Sequence, residues 1–135
     1  MSKSPNRMLG VMFGAGFVVF GILGCTVTSG RGFFATRGDL LLGIFGVNTF
    51  HNVLHIIIGA ALLLAGLSAA PAARTVNCLV GAAYLLLSLA GLLLIGSALN
   101  ILALNAADNV LHCASAVILL AVSLSADKRV RAGAA

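Results

Sequence analysis

Four side chains in the apolar part of this chain could hold a metal ion or relay a proton, namely His51, His55, Asp108 and His112. His51 and His55 are four residues apart, and so are Asp108 and His112, so each pair would share one face of an α-helix. Three imidazoles and a carboxylate suit Zn²⁺ or another divalent metal. Histidine also titrates near neutral pH, which suits proton transfer, and His55 with His112 could ligate a haem iron.

The same residues also fit a plainer role, as a hydrogen-bonded network of His, Asn and Asp near the lipid headgroups. The i, i+4 pair of His51 and His55 lacks the glutamate of a zinc-protease motif. No nucleophile–base pair, phosphate-binding loop or paired carboxylates are visible in the sequence. The sequence therefore favours a protein without catalytic activity and without a cofactor, with a divalent metal or haem as the alternatives.

These residues belong to two eight-residue blocks that match at an offset of 57 residues. The first block is Asn48-Thr-Phe-His51-Asn52-Val-Leu-His55, and the second is Asn105-Ala-Ala-Asp108-Asn109-Val-Leu-His112. Isolated polar side chains are costly in lipid, so two matched polar blocks are expected to face each other inside a bundle. The predicted polar cluster between the two halves comprises Asn48, Asn52, His55, Asn105, Asn109 and His112. We expect its asparagines to fix which helix faces meet.

The composition identifies the elements that position these blocks. Of the 135 residues, 61% are hydrophobic and only 8% are charged. A helix needs ~20 apolar residues to cross a bilayer, and the segments 8–28, 47–68, 76–98 and 106–125 meet or approach that length. Residues 1–135 are therefore predicted to form a single integral membrane domain. The first segment contains Ile22-Leu-Gly-Cys25, which resembles a lipoprotein signal, but its length favours a retained transmembrane helix.

The four segments form two similar halves, at about 8–68 and 76–125. Segments 1 and 3 align at an offset of 67 residues, and segments 2 and 4 align at 57. An even number of helices in each half gives both halves the same orientation, which predicts a parallel repeat with a pseudo-two-fold axis along the membrane normal. The fold class predicted is thus an all-α four-helix membrane bundle built from two tandem helical hairpins.

The charged residues predict the orientation of the bundle. Cations at both ends of the chain and Arg74 between segments 2 and 3 would lie on one side of the membrane, and those at the ends are Lys3, Arg7, Lys128, Arg129 and Arg131. The other side has only Arg31 and Arg37, partly offset by Asp39. The positive-inside rule then places both termini in the cytoplasm and the connections 29–46 and 99–105 outside. Asp39 is predicted to cap a short helical turn in the first of these connections.

The chain resembles a known family at both polar blocks. The resemblance rests on the run from Leu42 to Gly59, on Arg74-Thr-Val-Asn77, and on the run from Asn100 to His112. These runs are similar to those of small four-helix membrane proteins, mostly actinobacterial, grouped as domain of unknown function 4383. The resemblance implies a multi-pass protein of the bacterial cytoplasmic (inner) membrane that shares the polar blocks, and it implies no activity.

The functional expectation that follows is an accessory or structural subunit of a membrane assembly, or a small oligomer. Its partners would be the lipid bilayer and other membrane subunits or further copies of the chain. The net charge of +5 is explained by topology, so nucleic acid is not expected as a partner. The alternatives are metal or haem binding at His51, His55, Asp108 and His112, and a proton or small-solute pathway along the bundle axis.

Overall fold

Four α-helices and one small β-hairpin form the protein, as a computed structural model of residues 4–127 shows. The element order is α1 (Pro5–Val27), β1 (Asp39–Leu41), β2 (Phe45–Val47), α2 (Thr49–Leu67), α3 (Ala70–Leu94) and α4 (Ala106–Ser125). All four helices are long and apolar enough to cross a membrane. The predicted four-helix membrane bundle is therefore confirmed. The cations Lys3, Lys128, Arg129 and Arg131 lie outside the described residues.

The helices pack as two antiparallel hairpins, α1 with α2 and α3 with α4. Within α1, Gly10 and Gly14 face the backbone of α2, and Gly81 of α3 faces Leu119 and Leu120 of α4. Because a glycine has no side chain, the two helix backbones can approach closely at these points, where dispersion contacts hold membrane helices together. The bundle thus has a loop end, with the α1–α2 and α3–α4 connections, and a terminus end, with the α2–α3 connection.

Helix α3 lies earlier in the chain than the predicted segment 76–98. It begins at Ala70 with Pro71 in its first turn, a position where the missing amide hydrogen of proline costs nothing. It ends at Leu94, and Gly96 then adopts the left-handed conformation with φ of 77°. The apolar residues 95–98 therefore belong to the connection, which runs from 95 to 105.

The α1–α2 connection contains a β-hairpin where a helical turn was predicted, so that prediction was wrong. Strands β1 and β2 pair antiparallel, with Asp39 opposite Val47. Leu42 and Gly43 both have positive φ, at 55° and 70°, which matches a type I′ turn between twisted strands. Asp39 accepts a hydrogen bond from Arg31 at 2.8 Å instead of capping a helix.

An apolar layer separates two polar layers along the bundle. Its buried side chains come from all four helices and are Phe17, Leu62, Tyr84, Ala116 and Leu119. The polar layer at the terminus end includes Asn77, whose Nδ2 donates to the Asn6 carbonyl oxygen at 2.9 Å. The other polar layer, at the loop end, contains the histidines.

Candidate metal site: a buried histidine cluster

The β-hairpin and the start of α2 place the first two histidines. Asn48 is the N-cap of α2, and its side-chain oxygen accepts a hydrogen bond from the His51 amide at 2.8 Å. The Asn48 amide nitrogen donates to the carbonyl oxygens of Ala35 and Ile101, at 2.9 and 2.7 Å. One asparagine thereby fixes both loop-end connections to α2, and it places His51 in the first turn with His55 directly below.

The start of α4 repeats this arrangement with one addition. Asn105 is the N-cap and accepts from the Asp108 amide at 3.0 Å, while Asp108 Oδ2 accepts from the Asn105 amide at 2.9 Å. This reciprocal capping box satisfies two amides at the helix start. Asp108 Oδ2 also accepts from the Gly46 amide at 3.1 Å, so it links α4 to strand β2. His112 lies one turn further into the bundle.

The three histidine rings meet in the space between α2 and α4. Their potential ligand nitrogens all lie within 4.8 Å of one another. The Nε2 atoms of His51 and His55 are 3.0 Å apart, and the rings of His55 and His112 are stacked at 22° with centroids 5.9 Å apart. The three side chains are at most 2% exposed. The bundle thus buries three imidazoles in mutual contact.

The hydrogen bond at the far side of His51 fixes its tautomer. His51 Nδ1 lies 3.1 Å from the carbonyl oxygen of Gly46. A carbonyl can only accept, so Nδ1 carries the proton and Nε2 presents its lone pair to the cluster. Metal-binding histidines in proteins commonly donate their second nitrogen to a backbone carbonyl in this way.

Aromatic rings surround the cluster on its other sides. Phe20 and Phe17 pack on His55 with centroids 4.7 and 5.2 Å away, and Tyr84 packs on His112 at 4.9 Å. Several buried polar atoms in this layer have no hydrogen-bond partner among residues 4–127, and they are His55 Nδ1, His112 Nδ1, Tyr84 Oη and Asp108 Oδ1. An unpaired polar group in an apolar setting costs about 1–3 kcal/mol, so this layer favours a further ligand.

A family model matches most of the chain. The family is described as Domain of unknown function (DUF4383), and its model matches residues 7–125. The chain belongs to this family. No curated protein and no solved structure matches the chain significantly.

In this DUF4383 protein three of the four predicted metal ligands lie together, and the fourth does not. His51, His55 and His112 converge, whereas Asp108 directs Oδ2 to the backbone amides of Gly46 and Asn105. Asp108 is the acidic residue of the four transmembrane helices. It therefore joins the start of α4 to strand β2.

The asparagines of the DUF4383 protein make other contacts than the predicted pairing of α2 with α4. Asn48 and Asn105 are N-caps, and Asn52 donates to the Thr28 hydroxyl oxygen at 3.1 Å. The side chains of Asn52 and Asn109 lie directly on Gly24 and Gly91 of the neighbouring helix in their own hairpin. The contacts of Asn52 and Asn109 therefore lie within each hairpin, whereas Asn48 donates to Ile101 and Asn105 donates to Ile44, each in the other half of the chain.

Sequence reasoning missed two residues beside the cluster. Tyr84 could have been found, because it shares a helix face with Asn77, Gly81 and Ser88, which marks the side of α3 that is buried. Gly46 acts through its backbone, by donating to Asp108 and accepting from His51, and no sequence pattern indicates such a role.

Proposed function

We propose that this membrane protein binds a divalent transition-metal ion, with Zn²⁺ as the first candidate, through His51, His55 and His112. One observation carries the proposal, namely three buried imidazoles whose ligand nitrogens lie within 4.8 Å of one another. Three histidines and a water molecule are a common zinc ligand set. The role proposed here is metal binding alone.

Ligand distances support the proposal. Zn–N bonds of about 2.0–2.1 Å in a tetrahedral site put two ligand nitrogens ~3.3 Å apart. The two Nε2 atoms on α2 are already 3.0 Å apart, so they need to separate only slightly. His112 needs to approach by at most about 1.5 Å, which a side-chain rotation can provide.

The ring packing favours a single ion over haem. A haem iron between His55 and His112 would require the porphyrin plane to pass between the two rings. Those rings stack on each other at 22°, and Phe17, Phe20 and Tyr84 pack against them. A porphyrin would have to displace all of these contacts, whereas a single ion requires only a small movement of the His112 ring.

The apolar layer argues against a proton or solute pathway. Phe17, Leu62 and Leu119 fill the bundle below the histidines. They separate the cluster from Asn6 and Asn77 at the terminus end, and among residues 4–127 no side-chain hydrogen bond joins the histidines to these asparagines. A metal ion, in contrast, needs to reach the histidines only from the loop end of the bundle.

The proposal also covers the orientation of the protein in the membrane and its internal repeat. Arg7 and Arg74 lie at the terminus end, where their Nε atoms donate to the carbonyl oxygens of Gly66 and Ser123. At the loop end Arg31 is paired with Asp39. Arg37 also belongs to the loop-end connection, so the excess of cations comes from the two chain ends, where the sequence has Lys3, Lys128, Arg129 and Arg131. This excess supports cytoplasmic termini in a bacterial inner membrane, with the histidines on the outer side. Equivalent contacts of Arg7 and Arg74 also support the internal repeat.

An accessory or structural role in a membrane assembly is compatible with metal binding. A buried ion that joins α2 to α4 would hold the two hairpins together, as structural zinc ions do in other proteins. We infer that the metal stabilises the bundle in whichever assembly the chain occupies.

Metal titration of the purified protein tests the proposal. The detergent-solubilised protein is stripped with a chelator, and Zn²⁺ binding is measured by competition with a chromophoric chelator. We expect one ion per chain in the wild type and none in the variant with His55→Gln and His112→Gln. Asn109→Leu, on the same helix but outside the cluster, should retain the ion. Equal binding by the wild type and the double variant would overturn the proposal.

A further inference from the structure

A pocket of about 340 Å³ lies on the surface of the bundle between α3 and α4, at the loop end. Its apolar lining includes Leu89, Leu92, Ile95 and Val110. Leu92 and Val110 are 67% and 69% exposed, so the pocket opens onto the face that contacts lipid. The volume is at the small end of the ~300–1,000 Å³ range of ligand pockets.

The pocket contains one buried amide, the side chain of Asn109. Asn109 is only 5% exposed, and neither its Oδ1 nor its Nδ2 has a hydrogen-bond partner among residues 4–127. A polar group that is buried in this way without a hydrogen-bond partner is costly. The amide therefore calls for a partner that both donates and accepts hydrogen bonds.

The first hairpin shows how the nitrogen of the equivalent amide is satisfied, whereas its oxygen, Asn52 Oδ1, has no partner among residues 4–127 either. Asn52 lies on Gly24 as Asn109 lies on Gly91, and Asn52 donates to the Thr28 hydroxyl at 3.1 Å. Thr28 follows Gly24 by four residues, and the residue that follows Gly91 by four is Ile95. The first hairpin thus supplies an internal partner, whereas the second has an apolar side chain at that position, which lines the pocket.

We propose that this pocket binds a glycerolipid that carries a free hydroxyl group, such as diacylglycerol. The lipid ester carbonyl accepts from Asn109 Nδ2, its hydroxyl donates to Asn109 Oδ1, and one acyl chain lies against Leu89 and Leu92. The depth of the pocket in the bilayer also fits this ligand. Helix α3 ends at Leu94 and α4 begins at Ala106, so the pocket lies near the interface, where glycerol groups reside. A second protein chain fits less well, because it would have to insert a polar side chain into a pocket of only about 340 Å³.

The proposal is independent of the metal site. Asn109 lines the pocket between α3 and α4, whereas the three histidines converge between α2 and α4. Zinc binding measured on the same variants distinguishes the two, because failure of one proposal leaves the other unaffected.

Photo-crosslinking tests the lipid site. The protein in phosphatidylcholine vesicles is irradiated with a photoactivatable diacylglycerol, and crosslinked peptides are quantified by mass spectrometry. We expect crosslinks concentrated in residues 88–113, and unlabelled diacylglycerol should compete for them where extra phosphatidylcholine does not. Crosslinks spread evenly over the four helices, or equal competition by phosphatidylcholine, would overturn the proposal.

Three variants sharpen this experiment. Asn109→Leu removes the amide, and Ile95→Thr supplies the hydroxyl that Thr28 gives in the first hairpin. Both should lower crosslinking about tenfold, the change expected from losing about 1.4 kcal/mol of hydrogen bonding. Thr28→Ile makes the reverse exchange in the first hairpin and should leave crosslinking unchanged. Wild-type crosslinking in folded Asn109→Leu protein would overturn the proposal.

Discussion

The Nε2 atoms of His51 and His55 lie 3.0 Å apart, one helical turn from each other on α2. Because His51 Nδ1 donates to Gly46, the His51 Nε2 atom is an acceptor, and the proton between the two rings belongs to His55. A metal ion at this position replaces that proton. The displaced proton moves to His55 Nδ1, so the imidazole stays neutral and this nitrogen, which has no partner among the described residues, becomes a donor.

The His55→Phe variant should lose metal-dependent stabilisation while it stays folded. A phenyl ring suits the site, since Phe17 and Phe20 already pack on the imidazole. For wild-type protein, metal at 100 times its Kd should stabilise the fold by about 2.7 kcal/mol. Thermal unfolding with and without Zn²⁺ measures the difference. Tyr84→Phe, which keeps the ring beside His112, serves as the control and should retain the shift. A full shift in His55→Phe would contradict the assignment.

Zinc binding should weaken as the pH falls, because only neutral imidazoles bind the ion and protons compete with it for the same nitrogens. Titrations from neutral pH down to the lowest pH at which the protein stays folded should show the affinity decreasing. An affinity that stays constant over that whole range would contradict a site of three histidines.

The sequence predicted the helices and the faces that they bury, because apolar length and the matched Asn and His blocks follow directly from the physics of the bilayer. The spacing of four residues correctly aligned His51 with His55. It could not indicate the β-hairpin, which depends on positive φ at Leu42 and Gly43 in an otherwise apolar run. Nothing in that run distinguishes a strand from a helical turn.

The parts of the site that sequence reasoning missed depend on backbone geometry. The sequence predicts that Asn48 and Asn105 lie between facing helices, but both residues stand at helix starts, where they act as N-caps. The carboxylate of Asp108 reads as a ligand, yet its Oδ2 accepts from two amides because the capping box and strand β2 meet there. Such assignments require knowing where each helix begins to within one residue.

Two glycines of α1 should respond to alanine in opposite ways. A Cβ at Gly14 would lie 2.5 Å from the Leu63 backbone nitrogen, where only a shift of the helices could relieve the overlap. A Cβ at Gly16 would meet nothing within 4 Å. We expect Gly14→Ala to lower the free energy of unfolding by at least about 1–3 kcal/mol, and Gly16→Ala to raise it by up to about 1 kcal/mol. Denaturation in detergent compares the two, and similar effects would contradict the close packing of α1 on α2.

Asp127 should make the fold sensitive to acid. Burial acts to raise the pKa of its carboxyl, but hydrogen bonds from Ser4 and Asn6 outweigh that effect and hold the pKa below its ordinary value of 3.8, with Arg74 adding to them. A lowered pKa in the folded state means that the stabilisation is present above about pH 4 and is lost as the pH falls through the folded-state value.

The Asp127→Asn variant should therefore unfold with a weaker dependence on pH in this acid range. Unfolding measured at a series of pH values checks the slope. Ser4→Ala removes only one of the hydrogen bonds and should give an intermediate slope. A slope in Asp127→Asn equal to that of the wild type would mean that another group is responsible.

Asn48 should affect both stability and metal affinity, since it fixes the position of His51. Its side chain accepts from the His51 amide and donates to Ala35 and Ile101. Asn48→Asp keeps the accepting oxygen and loses both donated bonds, whereas Asn48→Ala loses all three. A lost N-cap costs about 1 kcal/mol, and each buried carbonyl left unpaired adds about 1–3 kcal/mol. In Asn48→Asp the new carboxylate would also face those two carbonyl oxygens, so its cost should approach or exceed that of Asn48→Ala.

Zinc titration of folded Asn48→Ala should show weaker binding, because the first turn of α2 loses its anchor. If affinity stayed at the wild-type value while stability fell, the position of His51 would depend on Gly46 alone.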